Sequence, residues 1–140
     1  VFLGYYFFSR HPKEKSFVGG YEVVKVVLPS GKNIDSLVAD TPIKRSQGLS
    51  IVNALNDDQG MLFVFETTSN YPFWMKDMRF PIDIIWLNEE KEIVYIKERA
   101  HPDEYPQAYI PNTDALYVFE INAGLAQSHD LDIGHVLIWN

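Results

Sequence analysis

The sequence contains no cysteine among its 140 residues. Disulfide bonds, thiolate ligands for a metal and a cysteine nucleophile are therefore excluded. The absence does not identify a cellular compartment, because cysteine-free proteins occur on both sides of membranes.

Clusters of positive charge are also missing. Lys and Arg number 12 against 19 Asp and Glu, which gives a net charge of −7, and the cations are scattered without forming a basic stripe. Nucleic acids and anionic membrane surfaces attract proteins mainly through clustered cations. We therefore expect no nucleic-acid partner, and the same charge disfavours an anionic membrane surface.

Long apolar runs are absent as well. The apolar run at residues 1–8 is far shorter than the roughly 20 residues that a transmembrane helix needs. A polar segment with Pro12 follows, and Gly19 and Gly20 close it. We interpret residues 1–20 as the remnant of a signal peptide or membrane anchor with its linker; the alternative is a strand or helical turn packed on the domain. The anchor interpretation predicts a secreted or membrane-anchored, extracytoplasmic protein and leaves a cytoplasmic location open.

Residues 21–140 are predicted to form a single, mostly β domain. The apolar and aromatic contents of the chain, 46% and 14%, are sufficient for one packed core. Short β-branched segments alternate with turns that contain Gly, Pro or Asn, which is typical of strands joined by hairpins. We expect seven strands, at residues 21–28, 33–39, 61–66, 82–87, 92–98, 115–121 and 135–139.

Helices are predicted to be few and short, two or three in all. The best signalled one begins after Thr41, which can cap it, has Pro42 at its first position and ends at Gly48. Further helical turns are expected at residues 51–55 and 125–129, whereas residues 99–114 form a long, proline-containing loop. This spacing favours an all-β fold, either an antiparallel sandwich or a partly closed barrel.

The most apolar and aromatic stretch, residues 60–87, carries charges at specific points. It contains the segments GMLFVF, FWMK and PIDI in that order, with Thr41, Pro42 and Arg45 before them and EINAG at residues 120–124 after them. This series resembles the domain-of-unknown-function family 192 over residues 22–139. The resemblance implies a compact, mostly β, sandwich-like domain, and many family members look secreted or membrane-anchored. It implies no activity, because none is established for the family.

Four positions depart from the family pattern. Ser50 stands where members usually have Met, Asp77 and Met78 stand where Asn and Thr often follow FWMK, and His135 stands where Asp follows the closing Gly. If the replaced Asn or Asp contacts a ligand, the departures predict a different ligand specificity for this protein.

An acidic residue, Asp83, interrupts the apolar strand IDIIWL. A carboxylate that is removed from water needs a cationic or hydrogen-bonding partner, and we expect Arg45, Lys76 or Arg79 to be that partner. The functional hypothesis is an acid that fixes a ligand or acts as a general base. The structural alternative is an ion pair that holds the helix at residues 41–48 against the sheet.

A second acid, Glu120, lies in the apolar strand ALYVFEI. On adjacent strands, Asp83 and Glu120 could form the carboxylate pair of a glycosidase, and both are therefore candidate catalytic residues. The structural alternative is a Glu that is capped or paired with an Arg.

A pocket is predicted between residues 73–79, the loop at residues 99–114 and the helix that carries Arg45. Phe73 and Trp74 would provide an aromatic platform for a flat ligand, or else they fill the core. Lys76 and Arg79 flank Asp77 and would bind an anionic group, or else they form a solvated rim. The predicted ligand-binding residues are Arg45, Phe73, Trp74, Lys76, Asp77, Arg79 and Asp83.

No metal or cofactor is predicted. The four histidines, His11, His101, His129 and His135, show no ligand spacing, and motifs for a P-loop, a dinucleotide fold or a nucleophile elbow are absent. Three functions remain as hypotheses. The first is a binding or accessory module for a small polar ligand such as a saccharide; the second is a glycosidase-like hydrolase; the third is a protein interaction domain.

Overall fold

The structure, a computed structural model, describes residues 16–140. The predicted anchor remnant at residues 1–8 lies outside the described residues and stays a prediction. Within the described part of the chain, no helix is long and apolar enough to cross a membrane.

Residues 16–140 form nine strands, two short α-helices and two 3-10 helices. The strands are β1 (Ser16–Val18), β2 (Tyr21–Val27), β3 (Asn33–Ala39), β4 (Gln59–Ser69), β5 (Phe73–Trp74), β6 (Ile82–Leu87), β7 (Ile93–Ala100), β8 (Ala108–Tyr109) and β9 (Ala115–Asn122). The helices are α1 (Pro42–Gln47) and α2 (Leu125–Ser128), and the 3-10 helices are η1 (Gly48–Ile51) and η2 (Pro102–Glu104).

Seven of the strands form one sheet in the order β1-β2-β3-β4-β9-β6-β7, and β5 pairs with β8 in a small second sheet. Neighbouring strands are antiparallel except β3 and β4, which are parallel and are connected through α1 and η1. The main sheet is open, because β1 and β7 are its two edges. The prediction of a mostly β, predominantly antiparallel fold with few short helices is confirmed.

The predicted closing strand at residues 135–139 is replaced by two isolated bridges. Val27 pairs with Ile138, and Glu92 pairs with Val136. One bridge connects the segment to β2, and the other connects it to the residue just before β7. The segment therefore contacts two strands that are distant in the sheet and forms a continuous ladder with neither.

Several other boundaries differ from the sequence prediction. Strand β1 lies within residues 1–20, which were predicted to be an anchor remnant and linker, and β4 extends beyond the predicted residues 61–66 at both ends. The turn expected at residues 51–55 forms earlier, as η1, and the loop expected at residues 99–114 contains η2 and β8. Short elements of this kind depend on tertiary contacts, which local patterns do not reveal.

Helix α1 begins and ends as its sequence predicts. The Thr41 side chain accepts a hydrogen bond from the backbone N–H of Lys44 at 3.3 Å, and Pro42 occupies the first turn. Gly48 follows the helix with a φ of 49°, in the left-handed region that favours glycine. The helix therefore stops where the chain must turn into η1.

The main sheet buries apolar side chains on both of its faces. One core, on the side we call the α2 face, contains Ile85 and Phe119 together with Leu125 of α2 and Leu137 of the C-terminal segment. The opposite core, on the α1 face, packs strand residues such as Trp86 against Leu49 of η1. All six residues of β6 are buried. Strand β6 therefore lies between two layers of side chains, as strands that are apolar on both faces do.

Candidate functional site

A cavity of about 540 Å³ opens on the α1 face. Its walls come from α1, η1, β4, residues 71–78 and Glu120 of β9. This volume falls within the range of about 300–1,000 Å³ that is usual for small-molecule sites. The cavity is therefore the candidate site in the described part of the chain.

One wall of the cavity is aromatic. Alternation along β4 places Phe63 and Phe65 on this face, where Phe63 meets Phe73 edge-on at 4.9 Å between ring centroids. Tyr71 stacks on Phe65 at 3.6 Å, and its backbone carbonyl accepts a hydrogen bond from the Trp86 indole at 2.9 Å. These ring contacts hold the wall in one arrangement, so its apolar surface is pre-formed.

A second, polar wall comes from the end of α1 and from η1. It includes Ser46, Gln47 and Ser50. The Ser50 hydroxyl donates to the carbonyl of Gln47 at 2.6 Å, and Gln47 Oε1 accepts from the Tyr21 hydroxyl at 3.4 Å. The cavity lining thus contains hydroxyl and amide groups as well as aromatic rings.

Arg45 supports the cavity wall. Its Nη1 donates to the backbone carbonyl of Val64 at 2.9 Å, and its guanidinium lies 5.0 Å from the Phe65 ring centroid. Its Nη2 lies 3.6 Å from a carboxylate oxygen of the largely exposed Glu66. Because these contacts occupy Arg45, it attaches α1 to β4 more than it offers free donors to a ligand.

Two charged residues, Lys76 and Asp77, also line the cavity. Within residues 16–140 neither takes part in an ion pair. The ammonium of Lys76 lies 5.7 Å from the Trp74 ring centroid, and Asp77 has a positive φ of 58°. Since the two charges are opposite, the cavity has no strong preference for a cation or an anion.

Glu120 contributes a buried acid to the cavity lining. Its side chain is 4% exposed, and its Oε2 has no hydrogen-bond partner among the described residues. Burial raises the pKa of the Glu120 carboxyl from 4.5 to about 8, so the group is mainly protonated at pH 7. A protonated carboxyl offers one O–H donor together with acceptor oxygens.

Asp83 does not belong to this cavity, and the predicted partners were wrong. Its Oδ1 accepts from the backbone N–H of Arg99 at 2.8 Å, and its Oδ2 accepts from those of Gly124 and Ala126 at 3.0 and 2.9 Å. The fully buried carboxylate therefore caps the start of α2 and fixes the end of β7. It does not line the cavity, and its hydrogen bonds go to β7 and α2, not to α1.

The predicted carboxylate pair does not form. In the antiparallel register of β6 and β9, Ile84 faces Glu120 and Asp83 faces Ile121. Paired residues project to the same side of a sheet and adjacent residues to opposite sides, so Glu120 projects to the α1 face and Asp83 to the α2 face. Two acids on opposite faces cannot flank one glycosidic bond, which removes the basis for the glycosidase-like hydrolase.

Five of the seven residues predicted to bind a ligand line the cavity: Arg45, Phe73, Trp74, Lys76 and Asp77. Their ligand contacts stay predictions. Besides Asp83, the exception is Arg79, which donates to the carbonyls of Ser50 and Val52 at 3.3 and 3.4 Å and so ties its loop to η1. The 99–114 loop does not line the cavity, although Tyr105 packs against Trp74.

Sequence reasoning missed several of the lining residues. It assigned no role to Phe63 and Phe65, it considered Glu120 only as a candidate catalytic residue or a structural acid, and it left out the polar wall at Ser46 and Gln47. Alternation in GMLFVFE indicates that Phe63 and Phe65 share a face. Nothing in the local sequence indicates that α1 covers that face.

No group of three or more histidine, aspartate or glutamate side chains in residues 16–140 is arranged to hold a metal ion. The acidic and histidine side chains at residues 101–104 instead stabilise η2, since His101 and Glu104 form a reciprocal capping box. Glu104 also accepts from the Tyr109 hydroxyl at 2.8 Å and lies 3.3 Å from the Lys97 ammonium.

Comparison with solved structures finds the same fold in bacterial proteins. A Novosphingobium aromaticivorans protein of unknown function superposes with a TM-score of 0.79 at 28% identity, covering 94% of this chain and 91% of that one. A Sinorhizobium meliloti protein, described with the words "transcription regulator", superposes with a TM-score of 0.76 at 28% identity, covering 84% of this chain and 92% of that one.

Curated relatives include a "UPF0127 protein" from Thermococcus gammatolerans, which is 31% identical over 103 residues, or 74% of this chain. The match spans 65% of the length of that relative. The model of family DUF192, described as "Uncharacterized ACR", matches residues 25–139. The chain therefore belongs to the domain-of-unknown-function family 192, as the motifs at residues 41–48, 60–87 and 120–124 predicted.

Proposed function

We propose that the protein binds a small, uncharged, hydroxyl-bearing ligand such as a saccharide in the cavity on the α1 face. The observation that carries this proposal is Glu120, whose buried Oε2 lacks a partner within residues 16–140. A buried polar atom without a hydrogen bond costs about 1–3 kcal/mol, and most native proteins avoid such atoms. A ligand hydroxyl that reached Glu120 would satisfy this group.

The two walls of the cavity favour the same class of ligand. A pyranose ring has apolar C–H faces and a rim of hydroxyl groups. The aromatic wall at Phe63, Phe65, Tyr71 and Phe73 suits the ring faces, while Ser46 and Gln47 on the polar wall suit the hydroxyl groups.

Charge supports an uncharged ligand. Burial favours the neutral form of Glu120, Arg45 is occupied by Val64 and Phe65, and Lys76 is balanced by the neighbouring Asp77. The net charge of −7 gives no support to a nucleic acid as the ligand.

The proposal is tested by a thermal-shift screen of common monosaccharides, divalent metals and nucleotides, with isothermal titration calorimetry on each stabilising compound. We expect a saccharide to raise the melting temperature of the wild-type protein. Glu120→Leu should remove binding while the protein stays folded, because leucine replaces a buried acid without leaving a charge. Glu98→Gln, at an exposed acid outside the cavity lining, is the control and should bind as the wild type does.

If no saccharide raises the melting temperature, the proposal is refuted and the interaction-domain hypothesis is favoured. Unchanged saccharide binding by Glu120→Leu would refute the role of Glu120 in the site.

A further inference from the structure

Two large aromatic side chains remain exposed beside the cavity. Trp74 is 49% exposed and Tyr105 is 44% exposed, and their ring centroids lie 5.3 Å apart with the planes tilted by 58°. By contrast, Met75, the neighbour of Trp74, is only 1% exposed. Single exposed aromatic residues are common on protein surfaces, but a contacting pair next to a cavity is a candidate binding surface.

The backbone around this pair is well held. Trp74 pairs with Ala108 across the small β5–β8 sheet. Tyr105 follows η2, and its N–H donates to the carbonyl of Pro102 at 3.2 Å. The buried side chain of Met75 anchors the segment from below. A pre-formed platform costs little conformational entropy when a ligand binds to it.

Only one residue of the aromatic pair, Trp74, belongs to the cavity lining. Trp74 and Lys76 line the cavity, whereas Tyr105 does not. Tyr105 therefore extends the aromatic surface outward from the cavity mouth. Lys76 lies beside the Trp74 ring and has no ion-pair partner in the described part of the chain, so its N–H groups are available at the same place.

The geometry points to an outer subsite at Trp74 and Tyr105 that stacks on a second sugar ring while the first ring occupies the cavity. This inference rests on the proposed function and deepens it, because it makes the preferred ligand an oligosaccharide rather than a monosaccharide. The C–H face of the second ring packs on the exposed indole and phenol, and its hydroxyl groups reach the Lys76 ammonium. Sugar rings suit this surface because it combines aromatic faces with the hydrogen-bonding groups of Trp74, Lys76 and Tyr105.

The experiment compares one ring with several rings of the same sugar. Glucose, cellobiose and cellotetraose, and the N-acetylglucosamine monomer, dimer and tetramer, are titrated by calorimetry into the wild type, Tyr105→Ala and Ile110→Ala. Tyr105→Ala is the decisive variant, because Tyr105 lies outside the cavity lining. Ile110→Ala removes another exposed apolar side chain from the same loop, 56% exposed, and controls for general surface effects.

We expect the tetrasaccharide of the recognised sugar to bind the wild type about tenfold more tightly than its monosaccharide, the affinity ratio of a strong aromatic contact. Tyr105→Ala should remove most of that gain and leave monosaccharide binding unchanged, and Ile110→Ala should bind as the wild type does. The outer subsite would be refuted if the wild type bound the monosaccharide and the tetrasaccharide with equal affinity. It would also be refuted if Tyr105→Ala kept the whole affinity gain of the tetrasaccharide. In both cases the cavity site would stand. If no sugar binds the wild type, the proposed function fails and the subsite fails with it.

Discussion

Replacement of the buried acid by its amide, Glu120→Gln, should stabilise the protein near neutral pH. In the wild type, burial raises the pKa of Glu120 from 4.5 to about 8, so the folded protein retains a proton that the unfolded chain releases. Glutamine has a similar shape and no proton to release. The variant therefore reproduces the protonated side chain at every pH.

The size of the effect follows from the linkage between protonation and folding. Below about pH 4.5 both states of the wild type are protonated, and the stability contributed by the neutral acid is fully present. As the pH rises towards 8, the free energy of unfolding falls by about 1.36 kcal/mol per pH unit. The loss reaches about 3 kcal/mol at pH 7 and about 5 kcal/mol above pH 8. Relaxation around the ionised side chain makes these magnitudes upper bounds.

The assay is urea unfolding followed by tryptophan fluorescence at intervals between pH 4.5 and 9. Other carboxylates also titrate, so the informative quantity is the difference in unfolding free energy between Glu120→Gln and the wild type. We expect that difference to be near zero at pH 4.5 and to grow with pH in favour of the variant. The exposed control Glu98→Gln should differ from the wild type by less than about 0.5 kcal/mol throughout.

A difference that stays constant with pH would refute the reasoning. It would mean that Glu120 ionises at the same pH in the folded and unfolded states, and hence that water or a nearby group solvates its carboxylate. The argument for an unpartnered acid in the cavity lining would then fall as well.

Three further predictions concern stability and use the same urea assay. Asp83→Asn should lower the free energy of unfolding by about 2–4 kcal/mol, because the amide cannot accept from all three backbone N–H groups that the carboxylate satisfies. A loss below about 0.5 kcal/mol would contradict the capping role. Gly60→Ala should lower the free energy of unfolding by about 1–3 kcal/mol, because the added Cβ would lie 2.8 Å from the backbone oxygen of Glu120. Unchanged stability would show that β4 and β9 can move apart without cost. Thr41→Ala should lower the free energy of unfolding by about 1 kcal/mol, because it removes the side-chain cap of α1. Thr41→Ser keeps the hydroxyl group and should retain the stability of the wild type. Equal losses in both variants would argue against the hydrogen bond.

Local chemistry made much of the fold predictable. The hairpin of β2 and β3 and the helix α1 were predicted close to their observed bounds. β-branched runs and Pro42 restrict the backbone, and Gly48 permits the left-handed turn that ends α1, whatever their surroundings. The alternation within IDIIWL and ALYVFEI also predicted the residues that share a face in each strand. The parallel pairing of β3 with β4 had no such signal, since it depends on how α1 and η1 cross the sheet.

The candidate site was harder to predict, because its parts are distant in sequence. The alternation of β9 groups Glu120 with Val118 on one face of its strand, but the register with β6 decides that Asp83 projects to the opposite face. The partners of Asp83 are backbone N–H groups, which every residue except proline carries and which no side-chain pattern can identify.

The amino-acid order alone determined the family, the mostly β class and the position of the aromatic segment, because these depend on residue type and short-range spacing. Only the tertiary structure decided that one buried acid caps a helix and the other lines a cavity. Strand register and the covering of each face arise from contacts between residues far apart in the chain, and burial, partners and pKa are properties of those contacts.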